Sequence, residues 1–183
     1  MDPALLAKWP NVPACFEWLS LDRRGQWRLK GEVIAHRGLI TFLNLNYAVD
    51  DLGRWFVQNG PQRAFVDLAY SPWVFHRAPD GSPAFISHTG RPAGDIRALH
   101  LDAEGNLLLD TELGPGLLDD RDLATLLAEC TDSTGHPVSD EALAALLAGE
   151  TPAITWHTLP LTPLPTVDLE KHFNFVRTPR EAG

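Results

Sequence analysis

Alternation and helical spacing divide the chain into short elements that run in the same order twice. Phe16-Glu17-Trp18-Leu19-Ser20-Leu21 and Gln26-Trp27-Arg28-Leu29 alternate around Asp22-Arg23-Arg24-Gly25, which predicts a hairpin closed by an aspartate and a left-handed glycine. Over residues 37–48, Leu39, Phe42, Leu43 and Tyr47 share one helical face, and Gly53 ends that segment. Strand pairs follow: Trp55-Phe56-Val57 with 64–68 across Asn59-Gly60-Pro61, and 73–76 with 84–88 around Asp80-Gly81. A second hairpin occupies 98–110, and a helix started by Asp119 and Asp120 aligns Leu123, Leu126, Leu127 and Cys130. A further helix, capped by Ser139 or Asp140, carries Leu143, Leu146 and Leu147 and stops at Gly149. The last strand is 153–159. Pro160 to Pro165 read as extended edge or loop, because proline cannot donate to a ladder. A short helix leads the chain over 2–9, and residues 177–183 are expected to fray.

The recurrence is visible in the residues. Leu21-Asp22-Arg23-Arg24-Gly25-Gln26-Trp27-Arg28-Leu29 returns as Leu101-Asp102-Ala103-Glu104-Gly105-Asn106-Leu107-Leu108-Leu109, and 37–43 is echoed by 121–127. The expected fold is α+β: two related β-hairpin–helix–strand units, 1–96 and 97–183, with antiparallel sheets and helices packed on one face. The second unit holds an extra helix, and the two share one core or pack as two small halves.

Composition adds three constraints. Hydrophobic residues make up 44% of 183, enough for a core without staples. No apolar run approaches the roughly 20 residues of a membrane helix, and the start lacks a basic, then apolar, signal pattern. Cys15 and Cys130 are read as buried reduced thiols, which suits a cytoplasmic protein. The net charge of −9 is uneven: residues 1–100 hold 11 Lys/Arg and 9 Asp/Glu, residues 101–183 hold 4 and 15. Such a field argues against nucleic acid and leaves a solvated acidic face or a surface for a basic partner.

The run Gly53-Arg54-Trp55-Phe56-Val57-Gln58-Asn59-Gly60-Pro61-Gln62-Arg63-Ala64-Phe65-Val66, followed by Ser71-Pro72-Trp73, resembles an uncharacterised family of short proteobacterial proteins. More distantly, the succession of Asp-x-x-Gly-x-Trp hairpin, helix, strands and Pro-Trp is similar to another bacterial domain of unknown function. That second resemblance implies two similar α+β halves with repeated motifs and a signalling or ligand-sensing role. It implies no catalytic residue.

The candidate binding site is the turn Gln58–Arg63 with its aromatic flanks, namely Arg63, Gln62, Asn59, Trp55 and Trp73. Amides and a guanidinium beside aromatic rings suit a small anionic or planar ligand, whereas the ordinary reading is a solvated hairpin. A metal site would draw on His76, His88, His100 and Asp102, though these are scattered and no HExxH or Cys-x-x-Cys spacing exists. Their ordinary reading is as polar or half-buried histidines. No nucleophile elbow or phosphate loop is present, and Asp119/Asp120 read as a helix cap. The chain is thus expected to be a non-catalytic ligand-binding or regulatory module without cofactor, holding a small anionic ligand or a protein partner between its units. A metal-assisted hydrolase and a self-associating structural domain, pairing through 153–159, are the alternatives.

Overall fold

The computed structural model of the protein describes residues 9, 11–80, 82, 84–164 and 169–181. Of the leading helix expected over 2–9, only Trp9 falls among them; its ring is buried against Trp18 (centroids 4.8 Å apart) and Phe42 (6.0 Å).

The fold is mixed α+β, with two sheets and few helices. In chain order the first part comprises β1 (Ala14–Leu21), β2 (Trp27–Leu29), β3 (Glu32–Val33), α1 (Arg37–Leu45), β4 (Tyr47–Val49), β5 (Trp55–Asn59) and β6 (Gln62–Leu68). The rest comprises β7 (Trp73–Arg77), β8 (Phe85–Ser87), β9 (Ile96–Leu101), β10 (Leu107–Thr111), β11 (Gly114–Leu118), α2 (Asp120–Ala128), β12 (Cys130–Thr131), α3 (Asp140–Leu147), β13 (Thr155–Trp156), β14 (Leu159–Pro163) and α4 (Leu169–Phe173). The first sheet runs β3-β2-β1-β6-β5-β4 and the second β12-β13-β14-β9-β10-β11-β7-β8. Read from β11, the second sheet gives β11-β10-β9-β14-β13-β12, matching the first strand for strand.

Neither sheet is purely antiparallel, contrary to expectation. β6 runs parallel to β1, β14 parallel to β9, and β7 parallel to β11. Hairpin signals in a sequence reveal only antiparallel neighbours. A parallel pair needs a long crossover: β2, β3, α1, β4 and β5 lie between β1 and β6, β10, β11, α2, β12, α3 and β13 between β9 and β14, and β8, β9 and β10 between β7 and β11. The β7–β8 hairpin joins the second sheet although it precedes residue 97, so sheet membership changes between β6 and β7.

Four turns share one construction. In Asp22–Gln26, Asp50–Arg54, Asp102–Asn106 and Asp132–His136, one aspartate oxygen accepts the backbone N–H groups two and four residues on. The aspartate carbonyl takes the N–H of the glycine at the fourth position, and its own N–H goes to the fifth residue's carbonyl. Four of the five backbone N–H groups in each turn are therefore satisfied locally. Two of the glycines also permit close approach. At Gly53 (φ +76°) a Cβ would lie 2.7 Å from the Asn174 carbonyl oxygen, and at Gly25 (φ +74°) it would lie 2.5 Å from the Cβ of His88.

The main core takes Leu19, Leu21 and Trp27 from the first hairpin, Val57, Ala64, Val66 and Leu68 from β5 and β6, and Leu99, Leu101, Leu107 and Leu109 from β9 and β10. The alternation in β1 is broken at Glu17 (φ +58°), where the register with β6 shifts between Cys15 and Leu19. α1, α2 and α3 each bury one leucine, Leu43, Leu126 and Leu146, in this core. Their caps are His36, Asp119 and Ser139. Helices do not all lie on one face, however. Leu169 and Phe173 of α4 also pack with Tyr70, Leu108 and Leu117, on the side of the second sheet opposite Leu107 and Leu109. That second cover is why Leu107, Leu108 and Leu109 are all buried in succession.

Two readings of the C-terminal region are overturned. Pro160 and Pro163 lie in β14, an interior strand between β13 and β9. Leu161 donates to Ile154 on the β13 side and Leu164 to Leu101 on the β9 side. Pro163 therefore faces β13 beyond its end, and Pro160 faces β9 before their ladder begins at Leu161. Residues 177–181 are tied down: Leu68 donates to the Arg177 carbonyl, and Arg180 pairs with Glu17 (3.1 Å) and Asp67 (3.0 Å). Residues 182 and 183 lie outside the described residues.

Candidate functional site at the seam

Where the first hairpin meets the second sheet, five rings interlock. His88, beyond the end of β8, stands 5.6 Å from Trp27, 5.6 Å from Tyr47 and 5.7 Å from Trp73 between centroids. Trp55 completes the group against Tyr47 (4.7 Å) and Trp73 (5.1 Å). Tyr47 donates its hydroxyl to the Pro72 carbonyl at 2.9 Å, and Trp27 its indole N–H to Asn44 at 2.7 Å. His88 Nδ1 accepts from the Val74 amide at 3.4 Å, which puts the neutral ring's proton on Nε2. That Nε2 and the indole nitrogen of Trp73 are buried with no hydrogen-bond partner among the described residues. Burial, assisted by repulsion from His76, pushes the His88 pKa down to about 3.

The Asp22–Gln26 turn projects from this cluster across the seam. Arg24 pairs with Asp120 at 2.8 Å, Arg23 donates to the side-chain oxygen of Asn106 in the matching turn, and Arg28 reaches back to Asp22 at 3.0 Å. Arg23 also lies over the Tyr70 ring at 5.1 Å, and Tyr70 donates its hydroxyl to Asp102 at 2.7 Å. Burial and that carboxylate hold the Tyr70 phenol well above its ordinary range. On one side of the turn is a cleft of about 560 Å³ lined by Ser20, Asp22, Arg23, Arg24, Arg28 and Asp67. On the other is one of about 370 Å³ bounded by Arg23, Arg24, Asn106, Leu117, Asp120 and Leu123.

The residues singled out from the sequence divide. Trp55 and Trp73 do meet, inside the cluster. Asn59, Gln62 and Arg63 stand at the opposite end of the β5–β6 ribbon, since four residues of strand separate Trp55 from Asn59 by roughly 13 Å. Arg63 stacks over Phe56 at 4.5 Å and bonds Gln58 at 3.3 Å, while Gln58 donates to the Gly60 and Gln62 carbonyls at 2.6 and 3.1 Å. The five residues therefore form no single site.

The histidines form no single group with Asp102 either, although His76 lies near enough to His88 to repel its charged form. His76 sits opposite Ile86, His88 is inside the aromatic cluster, and His100 bonds Thr162 at 2.9 Å. Asp102 is engaged by Tyr70 and Asn106. Among the described residues no three His, Cys, Asp or Glu side chains are grouped to hold a metal. Asp119 caps α2 as expected, and the Arg121 guanidinium brings its pKa down to about 2. Segment 153–159 offers no edge for self-association, because β13 is flanked by β12 and β14. The seam formed by the two hairpin turns lies outside these candidates; its signal in the sequence is the Asp-x-x-Gly-x spacing, present also at Asp50 and Asp132.

The sequence profile of the DUF2944 family, described as "Protein of unknown function (DUF2946)", matches residues 1–180. The chain belongs to that family. No curated protein matches it. Two crystal structures resemble it. One is a DUF1285 family protein from Silicibacter pomeroyi DSS-3, at 15% identity and TM-score 0.49, covering 76% of this chain and 79% of that one. The other is a DUF1285 family protein from Shewanella baltica OS155, at 13% identity and TM-score 0.45, covering 59% and 88%. Among the described residues no helix is long and apolar enough to cross a membrane.

Proposed function

We propose that this protein is a non-catalytic binding module built from two copies of one unit, and that it holds an anionic group in the cleft beside the Asp22–Gln26 turn. The observation that carries the reading is the cleft's lining: three guanidinium groups, Arg23, Arg24 and Arg28, against two carboxylates, Asp22 and Asp67. Both carboxylates are already paired, Asp22 with Arg28 and Asp67 with Arg180. Arg23 meets an amide and an aromatic ring instead of a carboxylate in its own contacts. Guanidinium groups with a planar fork of donors are suited to carboxylate and phosphate oxygens. The matched strand orders support the two-unit reading, and Arg23 and Asn106 bring both turns together beside the cleft.

The test is a thermal-shift titration with citrate and with inorganic phosphate at constant ionic strength. A ligand at 100 times its Kd adds about 2.7 kcal/mol, roughly 5–10 °C for a chain of this size. Arg23→Ala is expected to remove the shift and Arg63→Ala to leave it intact. Equal shifts in both variants would place the site elsewhere.

A further inference from the structure

The two sheets present corresponding rows of residues on their outer faces; α4 covers one, and on the other Arg180 engages the Asp67 end. In the second sheet the row runs Leu117, Leu108, His100, Thr162 across β11, β10, β9 and β14. In the first it runs Val33, Arg28, Ser20, Asp67 across β3, β2, β1 and β6. Leu108 and Leu117 are buried under Leu164, Leu169 and Phe173, and His100 lies 6.1 Å from the rings of both His172 and Phe173. α4 thus places Leu169 and Phe173, four residues apart on one helical face, over the row. On the first sheet three residues of the row, Arg28, Ser20 and Asp67, line the cleft of about 560 Å³, and Val33, next in the row on β3, is 45% exposed.

Resting on the binding reading above, we infer that this cleft receives a short acidic amphipathic helix of a partner protein, lying on the first sheet as α4 lies on the second. The shape argument comes from the occupied counterpart. The charge argument comes from Arg28 standing where the second sheet has Leu108, with Arg23 and Arg24 beside it. A helix turn that fits would offer apolar groups at i and i+4 toward Val33 and the stems of the arginines, and carboxylates toward their heads.

The probe is a fluorescein-labelled peptide of residues 164–176 carrying K171E, which keeps the two apolar positions of α4 and adds an acid. Anisotropy against the full chain should saturate, and affinity should fall at least tenfold between 50 and 500 mM NaCl. Arg28→Ala should weaken binding at least tenfold. Ser20→Glu, which sets a carboxylate in the floor opposite Arg28, should abolish it, and Arg63→Ala should change nothing. No saturation by 1 mM protein, or binding indifferent to Ser20→Glu, overturns the inference. If citrate stabilises the chain through Arg23 while the peptide does not bind, the helix is wrong and the anion site stands. If neither acts through these arginines, both readings fall.

Discussion

Acidification should loosen the seam through one imidazole. His88 is held neutral, with a pKa of about 3 against an ordinary 6.5, because its ring is enclosed by Trp27, Tyr47 and Trp73 and its Nε2 has no partner among the described residues. Above pH 6.5 both folded and unfolded chains carry the neutral ring, and the full stability is present. Below it the unfolded chain takes up a proton that the native state refuses. Stability then falls by about 1.4 kcal/mol per pH unit until pH approaches 3. Between pH 7 and pH 5 this amounts to about 2 kcal/mol, or roughly 4–8 °C in Tm. His88→Asn keeps an acceptor for the Val74 amide and does not titrate, so it should lower stability by a constant amount and flatten the slope. Chemical denaturation at half-unit steps from pH 7.5 to 4.5, for both proteins, measures the difference. His100, also depressed by burial and by His172, contributes in the same direction to both curves and cancels. Parallel curves would refute the argument, since they would mean that the unfolded chain gains nothing over the native state at this position.

Other outcomes follow from the same geometry. Gly25→Ala combines a left-handed backbone with a Cβ 2.5 Å from His88, and should cost more than the roughly 1 kcal/mol of a strained turn alone, measurable by urea denaturation. Tyr47 and Tyr70 are the chain's two tyrosines and both phenols are raised, Tyr47 by burial and Tyr70 by burial and Asp102. Phenolate absorbance at 295 nm should therefore be missing at pH 10 and appear together with unfolding at higher pH; a smooth step near pH 10 in folded protein would contradict it. Leu108→Ala should destabilise by about 2–5 kcal/mol, whereas Arg28→Ala at the matching position should cost far less, because only the former empties a covered face. Burial raises both thiols, Cys130 to about 11, so Ellman's reagent at pH 8 should react slowly with native protein and promptly with both cysteines in denaturant.

What the residues alone determined is local. Asp22 and Asp102 announced their turns because an aspartate oxygen and a left-handed glycine three residues on satisfy one another without any help from the rest of the chain. The caps at Asp119 and Ser139, and the leucine stripes of the helices behind them, were legible for the same reason. The partnership of distant strands was not. Nothing in Gln62–Leu68 says that it lies parallel to Ala14–Leu21, nor in Leu159–Pro163 that its prolines fall beyond the reach of their neighbours. Hydrophobic spacing fixes which face of a strand is buried, but which strand lies beside it depends on how the crossovers pack. The same division governs the candidate site. Trp55 and Arg63 looked adjacent along the chain and are separated by the length of a strand, while Arg23 and Asn106, 83 positions apart, touch because two sheets close against each other there.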